Sequence, residues 1–338
     1  VKTRLWVKLG VGVVVAIAVV VLPLYASAYT NRQLTLVVIY AVAILGLNLV
    51  TGYAGQVSLA QAAFFGVGAY ATAISGRAGM PAIAALGVAI LVPTLIGLII
   101  GLPAARLKGM ALAMVTIAAS LIAVPLALKL DVLTGGSQGM RVDFGGAPSW
   151  SGLLDDQWFY YVAIVVGAVM FLLARNMVSG KIGRGLALIR TNEVVATAMG
   201  VPVTRYKVWV FTLSASYAGV AGFLFAYCIR FVSPETLNFL LSIMMLASLV
   251  IGGLRSLLGP VLGAAFYVYI PQLAGTVSAE QSAFIYGVVL VLVLLFLPGG
   301  IVSLPRVIVL LRRRRARRRS AEADPRLDST HSERKLLQ

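Results

Sequence analysis

The sequence predicts an all-α polytopic membrane protein with about ten transmembrane helices, and three observations carry that reading. The 338 residues are 60% hydrophobic and only 12% charged. Apolar runs near twenty residues recur along most of the chain, the length a helix needs to cross about 30 Å of hydrocarbon. The 11 acidic residues all fall in expected connections or in the tail, and none precedes Asp131.

Taken in order, the first expected span is Trp6 to Ala28. It follows Lys2, Arg4 and Lys8 as a signal peptide would. Its apolar run exceeds a typical h-region and another span soon follows, so it is expected to be retained. Leu34–Thr51 and Leu59–Ile74 flank a short stretch rich in Gly, Gln and Ser. Ala82–Gly101 and Met110–Leu128 are aliphatic runs divided by Arg106 and Lys108. Gln157–Ala174 follows a glycine-rich connection, and Val208–Cys228 follows an interruption from Arg175 to Lys207. Leu240–Gly252, Gly259–Leu273 and Phe284–Leu297 complete the set; these three and Leu59–Ile74 are short for a span. Residues 1–311 are thus expected to form the transmembrane domain, with 312–338 a basic, disordered cytoplasmic tail. Spans two to five and seven to ten have similar lengths and enter from opposite sides, as an inverted repeat requires.

With this parity, connections on the amino-terminal side hold 23 of the 28 Lys and Arg. The opposite side holds Arg32, Arg77, Lys129, Arg141 and Arg230. Positive charge concentrates on the cytoplasmic side of membrane proteins, so both termini are expected there. Without Arg306 and the tail, eleven charges together, the ratio is still twelve to five. The net charge of +17 sits mostly beside spans or in Arg312–Arg319. Anionic lipid is a nearer counter-ion for it than nucleic acid, which is not expected as a partner.

Several chemistries are absent. Cys228 is the single cysteine and His331 the single histidine, so no disulfide framework or metal cluster is expected. Gly180-Lys181-Ile182 lacks the first glycine and the hydroxyl of a phosphate-cradling loop. No nucleophile, base and carboxylate are arranged for catalysis, so neither catalytic residues nor a resident cofactor are expected. Spans without carboxylates argue against a proton-driven carrier. Coupling to sodium through backbone carbonyls and hydroxyls stays open.

Within the 175–207 interruption, residues 185–199 read as one helix. Arg190, Glu193 and Thr197 form one stripe, with Leu188, Val195 and Met199 on the other side. Gly200 and Pro202 stop it. Such a helix either lies on the inner leaflet or fits a groove on a cytoplasmic protein; Glu193 favours the protein, because a carboxylate facing anionic lipid is unfavourable.

Thr51–Leu59 places Gly52 and Gly55 beside Gln56 and Ser58. This suits either a helix break at membrane depth, where freed backbone groups need polar neighbours, or a tight turn between spans. Asn48, Gln56, Ser58 and Gln61 are uncharged hydrogen-bonding groups close in sequence. They either join helices or line a translocation path. Gly66 with Ala69, and Gly97 with Gly101, set small residues at helical spacing for close packing. Gly135–Met140 and Gly145–Pro148 form an outward loop flanked by Asp131, Asp143, Asp155 and Asp156. It is either a binding-protein contact or a solvated connection.

Ala187-Leu-Ile-Arg-Thr-Asn-Glu-Val-Val-Ala-Thr-Ala-Met-Gly200 resembles the Ile-Arg-x-Asn-Glu signature of LivM-type branched-chain amino acid ABC transporter permeases. Leu47–Leu59 and Phe64–Tyr70 resemble that family's amino-terminal block, Leu133–Gly139 its external loop, and Ile251–Ala264 its late glycine-rich block. Pro298-Gly-Gly300 closes the last span as in family members. After Ser58-Leu59 the chain carries Ala60-Gln61 where many relatives have Gly-His or Gly-Gln. The resemblance spans roughly residues 34–305 and leaves the basic tail outside it.

The resemblance implies an importer permease beside a LivH-type second permease. It further implies two cytoplasmic ATPases binding ATP and Mg, and an extracytoplasmic solute-binding protein. On it, the ATPase-coupling helix carries Gly185, Arg190, Asn192, Glu193, Ala196, Thr197 and Gly200, with Arg190 and Glu193 as ATPase contacts. Gly52, Gly55, Gly252 and Gly253 are candidate hinges. A bacterial inner-membrane location and amino acid cargo follow from the resemblance alone. The rivals are a self-contained secondary carrier of a small polar or zwitterionic solute and a non-transporting scaffold.

Overall fold

The computed structural model describes residues 21–107, 109–149, 151–277, 281–296 and 299–303. Most of the expected first span, Pro298 and the whole basic tail lie outside these residues. Ser27 opens the first long helix, its hydroxyl accepting from the Thr30 amide. This helix, α1 (Ala28–Leu47), absorbs residues 29–33, which the sequence reading leaves as a connection. The reason is local: the Ser27 cap starts the helix early, and the Asn31 and Gln157 side chains both donate to the Pro23 carbonyl just before it.

α1 does not stop at Leu47 but widens into a π-turn, Asn48–Tyr53. There follow α2 (Gln61–Arg77), α3 (Ala82–Ala104), α4 (Met110–Lys129) and a single turn, α5 (Asp131–Thr134). A two-residue strand, β1 (Met140–Arg141), precedes α6 (Asp155–Ser179), α7 (Lys181–Thr191), α8 (Glu193–Ala198) and α9 (Val203–Ile229). The second strand, β2 (Phe231–Val232), leads through a 3-10 turn at Pro234–Leu237 to α10 (Phe239–Gly252), α11 (Gly259–Val277) and α12 (Ser282–Phe296). Among the described residues, five helical stretches are long and apolar enough to cross a membrane: Ala28–Tyr53, α3, α4, α6 and α9. The protein is therefore a multi-pass membrane protein.

These five divide into core and periphery. In their most apolar windows, 67% of Ala28–Tyr53 and 78% of α9 is buried, against 22% of α3 and α4 and 17% of α6. Exposed Leu91, Ile99, Met114, Leu121 and Leu172 present aliphatic surface outward from those peripheral helices, as a lipid-facing wall does. α9 packs against α1, α2 and α3, while α1 also meets α6 and α11. Tyr217, Phe65, Ile39 and Leu224 fill the space between.

Small residues set the spacing of that core. On Gly68 a Cβ would meet the Gly219 backbone at 2.6 Å, and Gly97 faces the Ala215 methyl. Gly222 lies against the Phe65 carbonyl, and Gly219 against that of Ala89. Two helices, α2 and α3, thus approach α9 with backbone near backbone, where dispersion and helix contact replace a hydrophobic driving force that lipid does not supply. Hydroxyls inside the helices turn back on their own turns: Thr72 donates to the Gly68 carbonyl and Ser75 to that of Ala71.

At the end opposite the π-turn, β1 pairs antiparallel with β2, Met140 opposite Val232. Arg230 sits just before β2 at φ 61° and reaches Asp155 at 3.0 Å, the Gly145 carbonyl at 3.1 Å and the face of Phe159. The glycine-rich connection is therefore pinned to the start of α6 and the end of α9.

Gly219→Ala should lower the thermal midpoint of the detergent-purified protein, since overpacking a tight contact costs about 1–3 kcal/mol. Gly287→Ala on α12, where a Cβ would meet nothing within 4 Å, is the control. It should be neutral or stabilising by up to ~1 kcal/mol. Equal midpoints for the two variants would contradict the packing account.

Candidate functional site

The expected single helix over 185–199 is two helices, α7 and α8. Asn192 breaks it: its backbone is extended (φ −161°, ψ 115°), and its side-chain oxygen accepts from the Val194 and Val195 amides. An Asn cap satisfies amides that a continuing helix would have bonded itself, so α8 starts in a new direction. The expected stripe of Arg190, Glu193 and Thr197 is accordingly not one surface. Thr197 donates to the Glu193 carbonyl within α8, and Gly200, at φ 80°, ends the segment.

Both charged residues turn toward the body of the protein. Glu193 pairs with Lys207 at 2.5 Å, and Lys207 is buried in the first turns of α9. Arg190 donates to the Gly52 carbonyl, and its stem lies 2.9 Å from where a Gly55 Cβ would stand. Burial, and then the nearby charge of Arg255, push the Arg190 guanidinium below its ordinary value. Gly185 passes close to the Tyr206 ring, and Leu186, Ile189 and Ala196 are buried against the bundle. Apolar side chains stand outward on and just after α8: Val194 is 73% exposed and Met199 68%.

The candidate hinge glycines meet at this same end. Gly55 takes φ 72°, which a side chain rarely adopts, and Gly52 lies directly against the Asn48 amide. Across from them Gly252 lies against the Gly259 carbonyl, and Gly253 takes φ 117°. Asn48 links the two blocks: its oxygen accepts from the Arg255 amide at 3.1 Å and its nitrogen donates to the Ser256 carbonyl at 2.9 Å. Tyr53 adds a bond from its hydroxyl to the Arg255 carbonyl at 2.8 Å.

Asn48, Gln56, Ser58 and Gln61 are all buried. For Asn48 and Gln61 the side-chain bonds join elements. Gln61 donates to the Ala43 carbonyl on α1 at 2.7 Å and accepts from Ser214 on α9 at 3.0 Å. Gln56 has its amide on the Val50 carbonyl and its carbonyl on Thr51, which closes the break after the π-turn. None of the four lines the two cavities at Tyr40–Tyr267 and between α2, α3 and α4.

A cavity of about 800 Å³ opens instead between α1, α10, α11 and the Ser233–Asn238 connection. Its wall combines Gln33, Tyr40, Tyr267, Gln272 and Tyr286 with Phe65, Phe225 and Met244, and Glu235 stands on it as the carboxylate. Gln272 donates to Gln33 across the cavity wall, and Tyr40 meets Tyr267 edge to face at 4.7 Å. A second cavity, of about 740 Å³ between α2, α3 and α4, is lined almost wholly by aliphatic side chains such as Val67, Ile96, Val115 and Ile122. The sequence reading missed the first cavity's residues. Their signal was uncharged polar and phenolic groups inside otherwise aliphatic spans, at positions 40, 267 and 272, with Gln33 just before the second span.

Among the described residues no group of three or more His, Cys, Asp or Glu is placed to hold a metal ion.

Comparison with known proteins gives this geometry a family. The family model for the permease component of branched-chain amino acid transport systems matches residues 29–294. The high-affinity branched-chain amino acid transport permease protein LivM of Escherichia coli is 30% identical over 308 residues, covering 84% of this chain and 72% of that protein. LivM of Salmonella typhimurium is 28% identical over 296 residues, covering 80% and 69%. A solved structure of PsaBC from Streptococcus pneumoniae in complex with Fab aligns over 80% of this chain and 92% of its own at a TM-score of 0.42 and 16% identity, a distance at which no shared feature is inferred. With buried amides at its glycine breaks and a family match that runs from α1 into α12, this chain belongs to the LivM-type permeases of the branched-chain amino acid ABC transport systems.

Proposed function

We propose that the chain is one transmembrane subunit of an ATP-driven importer of branched-chain amino acids in the bacterial inner membrane, working by alternating access. On this reading α7 and α8 face the cytoplasm and receive the push of two ATPase subunits, which bind the ATP and Mg. A LivH-type permease stands beside this chain, and a solute-binding protein delivers cargo to the opposite face. The related LivM proteins and the positive charge of the 175–207 segment support this placement.

One observation carries the mechanism: the α7–α8 segment is tied at two charged points to elements that reach the core. Arg190 holds the carbonyl of Gly52 at the end of α1, and Glu193 holds Lys207 at the start of α9. A displacement of α7–α8 therefore pulls on the two most buried of the five long helices, at the glycine break that follows α1 and at the first turns of α9. The exposed Val194 and Met199 supply the apolar face for the ATPase groove, while Arg190 and Glu193 transmit the load inward.

The cavity beside Tyr40 and Gln272 is the proposed path in this subunit. A branched aliphatic amino acid carries an apolar side chain and two opposite charges. Phenyl rings, phenols and amides suit both parts, and the wall's carboxylate, Glu235, lies on the connection before α10 rather than within a helix. Intramembrane polar groups of this kind face protein or water rather than lipid.

Two measurements test this. In proteoliposomes holding the full transporter, Arg190→Ala with Glu193→Ala should cut ATP-driven uptake on the order of tenfold or more, because each charge-assisted hydrogen bond is worth about 1.5–3 kcal/mol. The complex should still insert and hydrolyse ATP, and unchanged uptake would remove both residues from the transmission. Filling the cavities with bulk gives the second test. Met244→Trp should block uptake, whereas Val115→Trp in the aliphatic cavity should leave it intact; equal effects would refute the assigned path.

A further inference from the structure

Two residues other than glycine adopt left-handed backbone among the described residues, and both are arginines: Arg230 at φ 61° and Arg255 at φ 63°. Glycine takes this conformation without strain, so an arginine there is kept for its side chain or imposed by its surroundings. At Arg230 the side chain is accounted for within the chain by Asp155, the Gly145 carbonyl and the Phe159 ring. At Arg255 only the backbone is held, its amide by Asn48 and its carbonyl by Tyr53. The guanidinium is exposed and has no side-chain partner among the described residues.

Arg255 therefore stands on a loop tip with its charge unspent, and Gly52 brings Arg190 beside it: Arg190 donates to the Gly52 carbonyl, and a Cβ on Gly52 would stand 3.1 Å from the Arg255 amide. Arg190 gives one amino group to the Gly52 carbonyl and keeps the rest of its guanidinium exposed. Two cations brought together repel unless an anion lies between or beside them. At this end of the bundle the described residues offer one carboxylate, Glu193, and Lys207 already holds it.

We infer that Arg255 and Arg190 form a docking point for a carboxylate side chain of the cytoplasmic ATPase subunit, separate from the apolar face of α8. This rests on the function proposed above and adds to it a second, ionic contact between the ATPase and the α10–α11 loop. Planar guanidinium groups suit a carboxylate bound through paired N–H bonds. A partner seated there bears on Arg255, and through Asn48 on the end of α1.

The test uses the full transporter purified with its ATPase subunits. Arg255→Lys retains the charge and adds an amine that a carbodiimide joins to a carboxylate in direct contact. Peptide mass spectrometry should find that amine joined to an Asp or Glu of the ATPase. A link to Glu322, Asp324, Asp328 or Glu333 of this chain's own tail, or no link in an intact complex, would overturn the inference. In parallel, Arg255→Gln should weaken ATPase attachment on the order of tenfold at low salt, with the difference from wild type shrinking as salt rises. Identical attachment at every salt concentration would also overturn it. If wild-type chain retains no ATPase at all, the proposed function fails together with this contact. If ATPase is retained and these two outcomes are absent, only the ionic contact fails.

Discussion

The side-chain amide of Asn48 is the interaction on which the architecture of the hinge end depends. A helix broken by glycines leaves backbone amides and carbonyls without helical partners, and inside a membrane protein each orphan costs several kcal/mol. Asn48 answers for two of them at once, the Arg255 amide and the Ser256 carbonyl, from a fully buried position. Gly52 permits it, because any Cβ there would occupy the amide's place. The Gly52 carbonyl, left over by the π-turn, then takes the Arg190 guanidinium. A break that would weaken an isolated helix becomes the junction of α1, the α10–α11 loop and α7.

Around that junction the helices divide the work. α1 and α9 are enclosed by protein and carry the glycines and hydroxyls that let backbones approach. α3, α4 and α6 turn aliphatic side chains outward and hold the assembly in hydrocarbon. The far end is closed differently, by a two-residue antiparallel pair and by Arg230 reaching Asp155. One end is therefore stapled by a surface ribbon, and the other is joined through buried amides at glycine breaks.

How much of this the sequence discloses follows from the range of each interaction. Apolar runs locate the helices because burial in lipid is a property of each segment alone. The interruption at 175–207 is legible for the same reason. The kink at Asn192 is not, since the apolar period continues past it and the cap depends on which amides a local side chain reaches. Gly52, Gly55, Gly252 and Gly253 are legible as unusual backbone, but their meeting through Asn48 joins positions 208 residues apart. Asn48 and Gln61 read as polar groups that either join helices or line a path, and only the structure shows the bonds by which both join distant elements. The cavity wall, where Gln33 meets Gln272 across 239 positions, follows from the tertiary packing of α1 and α11.

The make-up of that wall has an electrical consequence. Its partners deep in the helices are amides, phenols and phenyl rings, with Glu235 out on the connection that leads into α10. A solute of zero net charge moving past them carries no net charge through the field and drags no titrating carboxylate with it. Voltage across the bilayer accordingly does no net work on its passage, since only displaced charge exchanges energy with the potential. On the proposed function, vectorial flow along such a route comes from the order in which its two mouths open.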